Sequence, residues 1–249
     1  NGNISVSSVY GKIPYIIVTG QQPNGQSTLH YAAVVNNKKT KFDVDSIMYI
    51  DGSNPEFNFI CVPNGEKKPK IQLQGTSSLA YPRKNYKLIL KGANLYLGCD
   101  SSGNGGVLQS KPEYAMSKTA APVHTFCIKA DYAESSSSHN TGMTQMVQKV
   151  LATANDLTPA QKYVNKEEYN YEVRTTIEGH PALLFYRNTA EDTPIFAGKF
   201  NFNNDKSTEA VFGFLDIPGY HDQDWVTEKF EGKNPTECWE FLSNEYPMG

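Results

Sequence analysis

Short apolar runs broken by polar turns dominate the first half of the chain. Residues 13–19 (IPYIIVT) form one such run, closed by Gly20 and the turn QQPNGQ. Residues 28–36 (TLHYAAVVN) and 41–50 (KFDVDSIMYI) follow, separated by a turn that starts at Asn36-Asn37. In 56–62 (EFNFICV) alternation places Phe57, Phe59 and Cys61 on one side before Pro63-Asn64-Gly65 turns the chain. Period-2 runs bounded by Gly, Pro and Asn are the signature of antiparallel strands. Residues 70–74 (KIQLQ) and 85–91 (NYKLILK) add two more, flanking the loop GTSSLAYPRK, and 94–98 is expected to pair with 107–109 across the Gly-rich turn CDSSGNGG. No helical period is evident before residue 140.

The period then changes. Met143, Met146, Val147, Val150, Leu151 and Ala154 recur at helical spacing and form one apolar stripe. Asn140 or Thr141 supplies an N-cap oxygen for the orphan amides of the first turn, and Asn155-Asp156 ends the run. Thr158-Pro159 marks the start of a further short helix. Strands resume at 170–178, 182–187, 195–202 and 210–215, and residues 236–244 (TECWEFLSN) have the pattern of a closing helix. Strands, one helix, then strands again predict an antiparallel, β-rich α+β fold around one central amphipathic helix. We expect one domain over 1–249, with 1–66 as N-terminal strands and 67–249 as its core.

Composition narrows the function. The chain has 249 residues, 39% hydrophobic and 20% charged, which is globular rather than disordered. A formal net charge of -3 lacks the basic excess that a phosphate backbone demands, so nucleic acid is not expected as a partner. Aromatics at 12% favour pleated, half-buried surfaces. Cys61, Cys99, Cys127 and Cys238 are too scattered for a zinc knuckle or a redox pair and are expected to be free thiols without a structural disulfide. No apolar stretch is long enough to span a membrane. The start, without Met or a signal-peptide pattern, and the end are both expected to be cuts inside a longer polypeptide.

Two polar segments carry candidate chemistry. In the loop from Gln74 to Lys84, Gly75, Thr76, Ser77, Ser78, Arg83 and Lys84 bring hydroxyls, a flexible backbone and two cations together, with Lys87 on the strand behind them. Such groups form charge-assisted hydrogen bonds to a phosphate. A polar hairpin tip uses the same residues. The second segment, LDIPGYHDQDW, offers Asp216, Asp222 and Asp224 as oxygen ligands for Mg²⁺ or Ca²⁺, although their spacing departs from an EF-hand. Asn203-Asn204-Asp205-Lys206 has the composition of a turn. No nucleophile-elbow or zinc-protease motif occurs.

The stretch IQLQGTSSLAYPRKNYKLIL resembles the signature of the CotH family, roughly RGNSSW…PKKSYRLKL. KADYAESSSSHNTG resembles that family's second signature through Ala130, Asp131, Tyr132, Glu134, Ser136 and Asn140. IPYIIVTG is similar to its first strand, and Gly179, Pro181, Leu184, Phe185, Gly198 and Phe200 to its later hairpin. The resemblance implies an atypical protein-kinase-like fold that binds ATP and Mg²⁺ and phosphorylates Ser in coat proteins. It implies that Lys84 and Lys87 contact nucleotide phosphates, and that Ser77, Glu134, Ser136 and Asn140 shape the cleft floor. Gln74 and His139 stand where the family has Arg, and Gln cannot mimic a bidentate guanidinium. The family's metal-binding aspartates lie beyond its later hairpin, a region that this chain barely reaches, so catalysis is expected to be absent or residual. NFNNDKST with the following FGF resembles CotH-like domains of tailed-phage virion proteins. That implies location in a virion, as part of a homo-oligomeric assembly with other virion or coat proteins and a host-surface receptor as partners. An active kinase and a β-rich glycan- or protein-binding module are the alternatives. All the site assignments require the 75–87 hairpin tip to face the N-terminal end of the central helix.

Overall fold

The structure, a computed structural model, describes residues 4–133, 139–152, 163–164, 171–172 and 176–205. The elements in chain order are α1 (Val6–Val9), β1 (Tyr15–Thr19), α2 (Thr28–Val35), β2 (Lys41–Asp43), β3 (Ser46–Ile50), β4 (Phe59–Val62), β5 (Lys70–Gln74), β6 (Asn85–Ile89), β7 (Asn94–Leu97), β8 (Val107–Leu108) and β9 (Thr125–Lys129). After them come α3 (His139–Ala152), β10 (Tyr163–Val164), β11 (Tyr171–Glu172), β12 (Gly179–Arg187) and β13 (Ile195–Asn204). The α+β class follows directly.

One 11-stranded sheet carries the fold, in the order β2-β5-β6-β9-β13-β12-β1-β3-β4-β7-β8, and β10 and β11 pair separately. The sheet is mixed rather than wholly antiparallel, because β1 runs parallel to β12, Tyr15 beside Leu183 through Thr19 beside Arg187. Long-range pairing decides this, and no local pattern reveals it. β1, β3 and β4, all from before residue 66, join the same sheet as β7 and β12 from after it.

Several local expectations change. Residues 28–35 are helical, not a strand. The Ser27 hydroxyl accepts the His30 amide at 3.3 Å, and Asn36 closes the helix in the left-handed region at φ 51°. These caps outweigh the strand preference of its β-branched residues. Two α-helices, α1 and α2, therefore precede the central helix. Residues 41–50 form two strands that leave in different directions. Val44 donates to Pro69 O and Asp45 to Thr19 O, so β2 joins β5 while β3 lies between β1 and β4. Asn140 and Thr141 lie inside the first turn of α3 rather than capping it. Asn203 and Asn204 belong to β13, where β9 and β12 pair on either side and override their turn preference. The expected 94–98 with 107–109 pairing is present as β7 with β8, and the β5–β6 hairpin lies where it was expected. The segments 210–215 and 236–244 and the Thr158-Pro159 helix start lie outside the described residues.

Alternation within β1 separates two cores. Ile16 and Val18 join a large cluster with Tyr49, Phe59, Leu73, Leu88, Phe126, Leu184 and Phe202 on one face. Tyr15 and Ile17 join Val9, Met48, Ile50, Leu183 and Phe185 on the other. The second face is apolar mainly beneath β1, β3 and β12, with Ile60 of β4 and Phe196 of β13 packed against that cluster. Across β13, β9, β6 and β5 it becomes polar, and there the candidate chemistry lies.

Candidate functional site

Strand register assembles the polar half-face row by row. Gln72 lies beside Lys87, Lys87 beside Cys127, and Cys127 beside Asn203. A neighbouring row sets Gln74 beside Asn85 and Lys129 beside Asn201. The alternation Phe200, Asn201, Phe202, Asn203 is the cause: its phenylalanines enter the large core, so its asparagines must face the other way.

Lys87 and Asp205 form the electrostatic centre. Lys87 Nζ lies 2.5 Å from Asp205 Oδ2, with side chains 26% and 4% exposed. The Cys127 thiol hydrogen-bonds the same carboxylate, and burial, reinforced by that negative charge, pushes it up to about 12. At that value it is a structural donor rather than a nucleophile. Lys129 Nζ donates to Gln74 Oε1, so Gln74 accepts from a cation.

The β5–β6 loop approaches the entrance to α3 through a short relay. Asn85 Oδ1 accepts the Ala130 amide at 2.7 Å, and the Tyr81 and Tyr132 rings lie 5.5 Å apart. Asp131 turns the chain out of β9 with φ 43°, a conformation that Asp tolerates better than most residues. Its carboxylate accepts Asn201 Nδ2 at 2.5 Å, and the Thr141 hydroxyl of α3 donates to Asn201 Oδ1 at 3.4 Å. The hairpin tip and the first turn of α3 thus stand at the same end of the sheet, with Asn85, Asp131 and Asn201 between them.

Within the loop, Gly75 has φ 123°, and a Cβ there would lie 1.9 Å from Ser78 Oγ. A 3-10 turn spans Ser77–Ala80. Thr76 Oγ1 accepts Lys38 Nζ at 3.0 Å, and Ser78 Oγ accepts Asn85 Nδ2 at 3.4 Å. Lys84 Nζ folds back onto Leu79 O at 2.5 Å. Arg83 donates to Lys199 O at 2.6 Å and lies over the Phe200 ring, 4.9 Å from its centroid.

Of the expected site residues, Gly75, Thr76, Ser77, Ser78, Arg83 and Lys84 occupy this loop, Lys87 the strand behind it and Asn140 the first turn of α3. Glu134, Ser136, Asp216, Asp222 and Asp224 lie outside the described residues. Among the described residues no three His, Cys, Asp or Glu side chains converge as a metal site, and no helix is long and apolar enough to cross a membrane. Sequence reasoning passed over Asn201, read Asn203 as part of a turn and Cys127 only as a scattered thiol, although the strict alternation of Asn with Phe was the signal available. Asn203 Oδ1 and both amide atoms of Asn204 are buried without a hydrogen-bond partner among the described residues.

Compared with family models, curated proteins and solved structures, the chain matches none.

Proposed function

We propose that this chain is a CotH-like module with a structural role, in assembly or host adhesion, within a tailed-phage virion, and that it transfers no phosphoryl group itself. The observation that carries the reading is how its cations are engaged. Lys84 is bound to Leu79 O, Arg83 to Lys199 O and the face of Phe200, and Lys87 to Asp205. These cations, Lys84 and Lys87 assigned to a nucleotide phosphate by the CotH resemblance and Arg83 by the composition of the loop, here tie the hairpin to its own loop, to β13 and to the residue after it. A phosphate would have to displace a charge-assisted bond at each, and displacing Asp205 would cost a buried carboxylate the cation that Lys87 supplies. The acidic net charge also suits contact with other proteins better than with polyanions.

One observation favours a second reading, an active ATP- and Mg²⁺-dependent kinase. The Lys87–Asp205 pair adjoins Asn203 and Asn204, where Asn203 Oδ1 and both side-chain amide atoms of Asn204 are buried without a hydrogen-bond partner among the described residues. Each such atom costs about 1–3 kcal/mol unless something polar meets it. Thermal melting with increasing ATP and Mg²⁺ separates the two readings, because a ligand of the native state must raise Tm by mass action. The structural reading expects no movement of Tm. A saturable rise that Lys87→Ala abolishes would overturn it in favour of the kinase.

A further inference from the structure

The polar side of α3 faces the sheet and its apolar side faces away. Thr141 hydrogen-bonds Asn201, Gln145 Nε2 donates to Gly179 O at 3.0 Å, and the Thr144 carbonyl accepts the Thr176 hydroxyl at 3.3 Å. Met143, Met146, Val147 and Val150, at helical spacing i, i+3, i+4 and i+7, are 47%, 52%, 37% and 62% exposed. Four large apolar side chains aligned on one helix face are an interaction surface rather than a scatter of single exposed residues.

We propose that this stripe seats the chain's own residues after Asp205. Three observations select that occupant. β13 runs beside α3, with Asn201 bonded to Thr141 and Asn203 paired with Gly179, whose carbonyl binds Gln145, so the chain leaves Asp205 next to the helix. The 44 residues from Lys206 to Gly249 carry Phe212, Phe214, Trp225, Trp239, Phe241 and Leu242, apolar groups that require burial somewhere. Finally, four side chains supply far less than the roughly 800 Å² per partner of a stable complex between separate molecules. A tethered segment does not need that area, because its effective concentration is set by the linker. The inference does not depend on the CotH resemblance.

Both tryptophans of the chain, Trp225 and Trp239, lie in this segment, so tryptophan emission reports on it alone. In the full chain, Met146→Asp and Val150→Asp are expected to shift emission to the red and increase acrylamide quenching several-fold, with far-UV circular dichroism retained. Lys149→Gln, an exposed polar position on the same helix, should leave both unchanged. Unaltered emission and quenching in both Asp variants would overturn the proposal. So would a wild-type dimer that these variants dissociate without a tryptophan response, which would assign the stripe to a second copy. A measurement on the wild-type chain covers the case in which the variants fail to fold. Met143 and Met146 should be oxidised by peroxide several-fold more slowly than in a peptide spanning α3, and equal rates would equally overturn the proposal.

Discussion

The Tyr49 hydroxyl and His180 Nε2 lie 2.9 Å apart, joining the middle of the sheet to the start of β12 across 131 residues of sequence. The His180 ring also contacts Phe202, and Tyr49 stacks on Phe59. This polar contact is enclosed by aromatic core. Burial pushes His180 below the ordinary histidine value of 6.5, while Asp51 and Glu178 pull the other way. As pH falls below about 6.5, the unfolded chain takes up the proton first, so stability is lost progressively until pH passes the lowered folded value. Urea midpoints should therefore fall between pH 7 and pH 5, and His180→Asn should flatten that dependence. Tyr49→Phe should cost about 1 kcal/mol at pH 7. A pH slope identical in wild type and His180→Asn would exclude His180 as its source.

Lys87 and Asp205 test how the polar half-face is held. Removing one member of a largely buried pair leaves the other uncompensated, so Asp205→Ala should cost about 2–4 kcal/mol. Replacing both, as Lys87→Met with Asp205→Leu, should cost less than the single change. Denaturant unfolding of wild type and these two variants provides the comparison. A double variant worse than Asp205→Ala would show that the pair contributes more than its own neutralisation.

The thiols give a chemical readout of packing. Burial pushes Cys61 and Cys127 up to about 12 and Cys99 up to about 11. With so little thiolate near neutrality, all three should resist a disulfide reagent in the native protein at pH 8 and react only on unfolding. Reaction of Cys127 at the rate of a free thiol would mean that its strand opens readily.

Gly179 of β12 lies close against Asn203 of β13. A Cβ there would lie 2.4 Å from Asn203 Cβ and 2.7 Å from Phe202 O. Backbone cannot yield as a side-chain tip can, so Gly179→Ala should destabilise the fold by about 1–3 kcal/mol. Gly11→Ala meets nothing within 4 Å, but at φ 72° it tests backbone strain alone and should cost less. Thermal melts of the two variants make the comparison. A Gly179→Ala melt matching wild type would refute the close approach.

Sequence alone determined the features that depend on neighbours along the chain. Alternation marked β5, β6, β12 and β13, Gly75 marked the tight loop between two of them, and the spacing from Met143 to Val150 marked α3. The caps of α2 were also legible in Ser27 and Asn36, but the β-branched residues between them read as strand. Only the tertiary structure decided that β1 runs parallel to β12, that Asn203 and Asn204 extend a strand instead of forming a turn, and that Lys87 reaches Asp205. It alone set the apolar stripe of α3 away from the sheet. The physical reason is common to all four: periodicity tells which side chains share a face, whereas what that face meets depends on contacts between residues far apart in the chain.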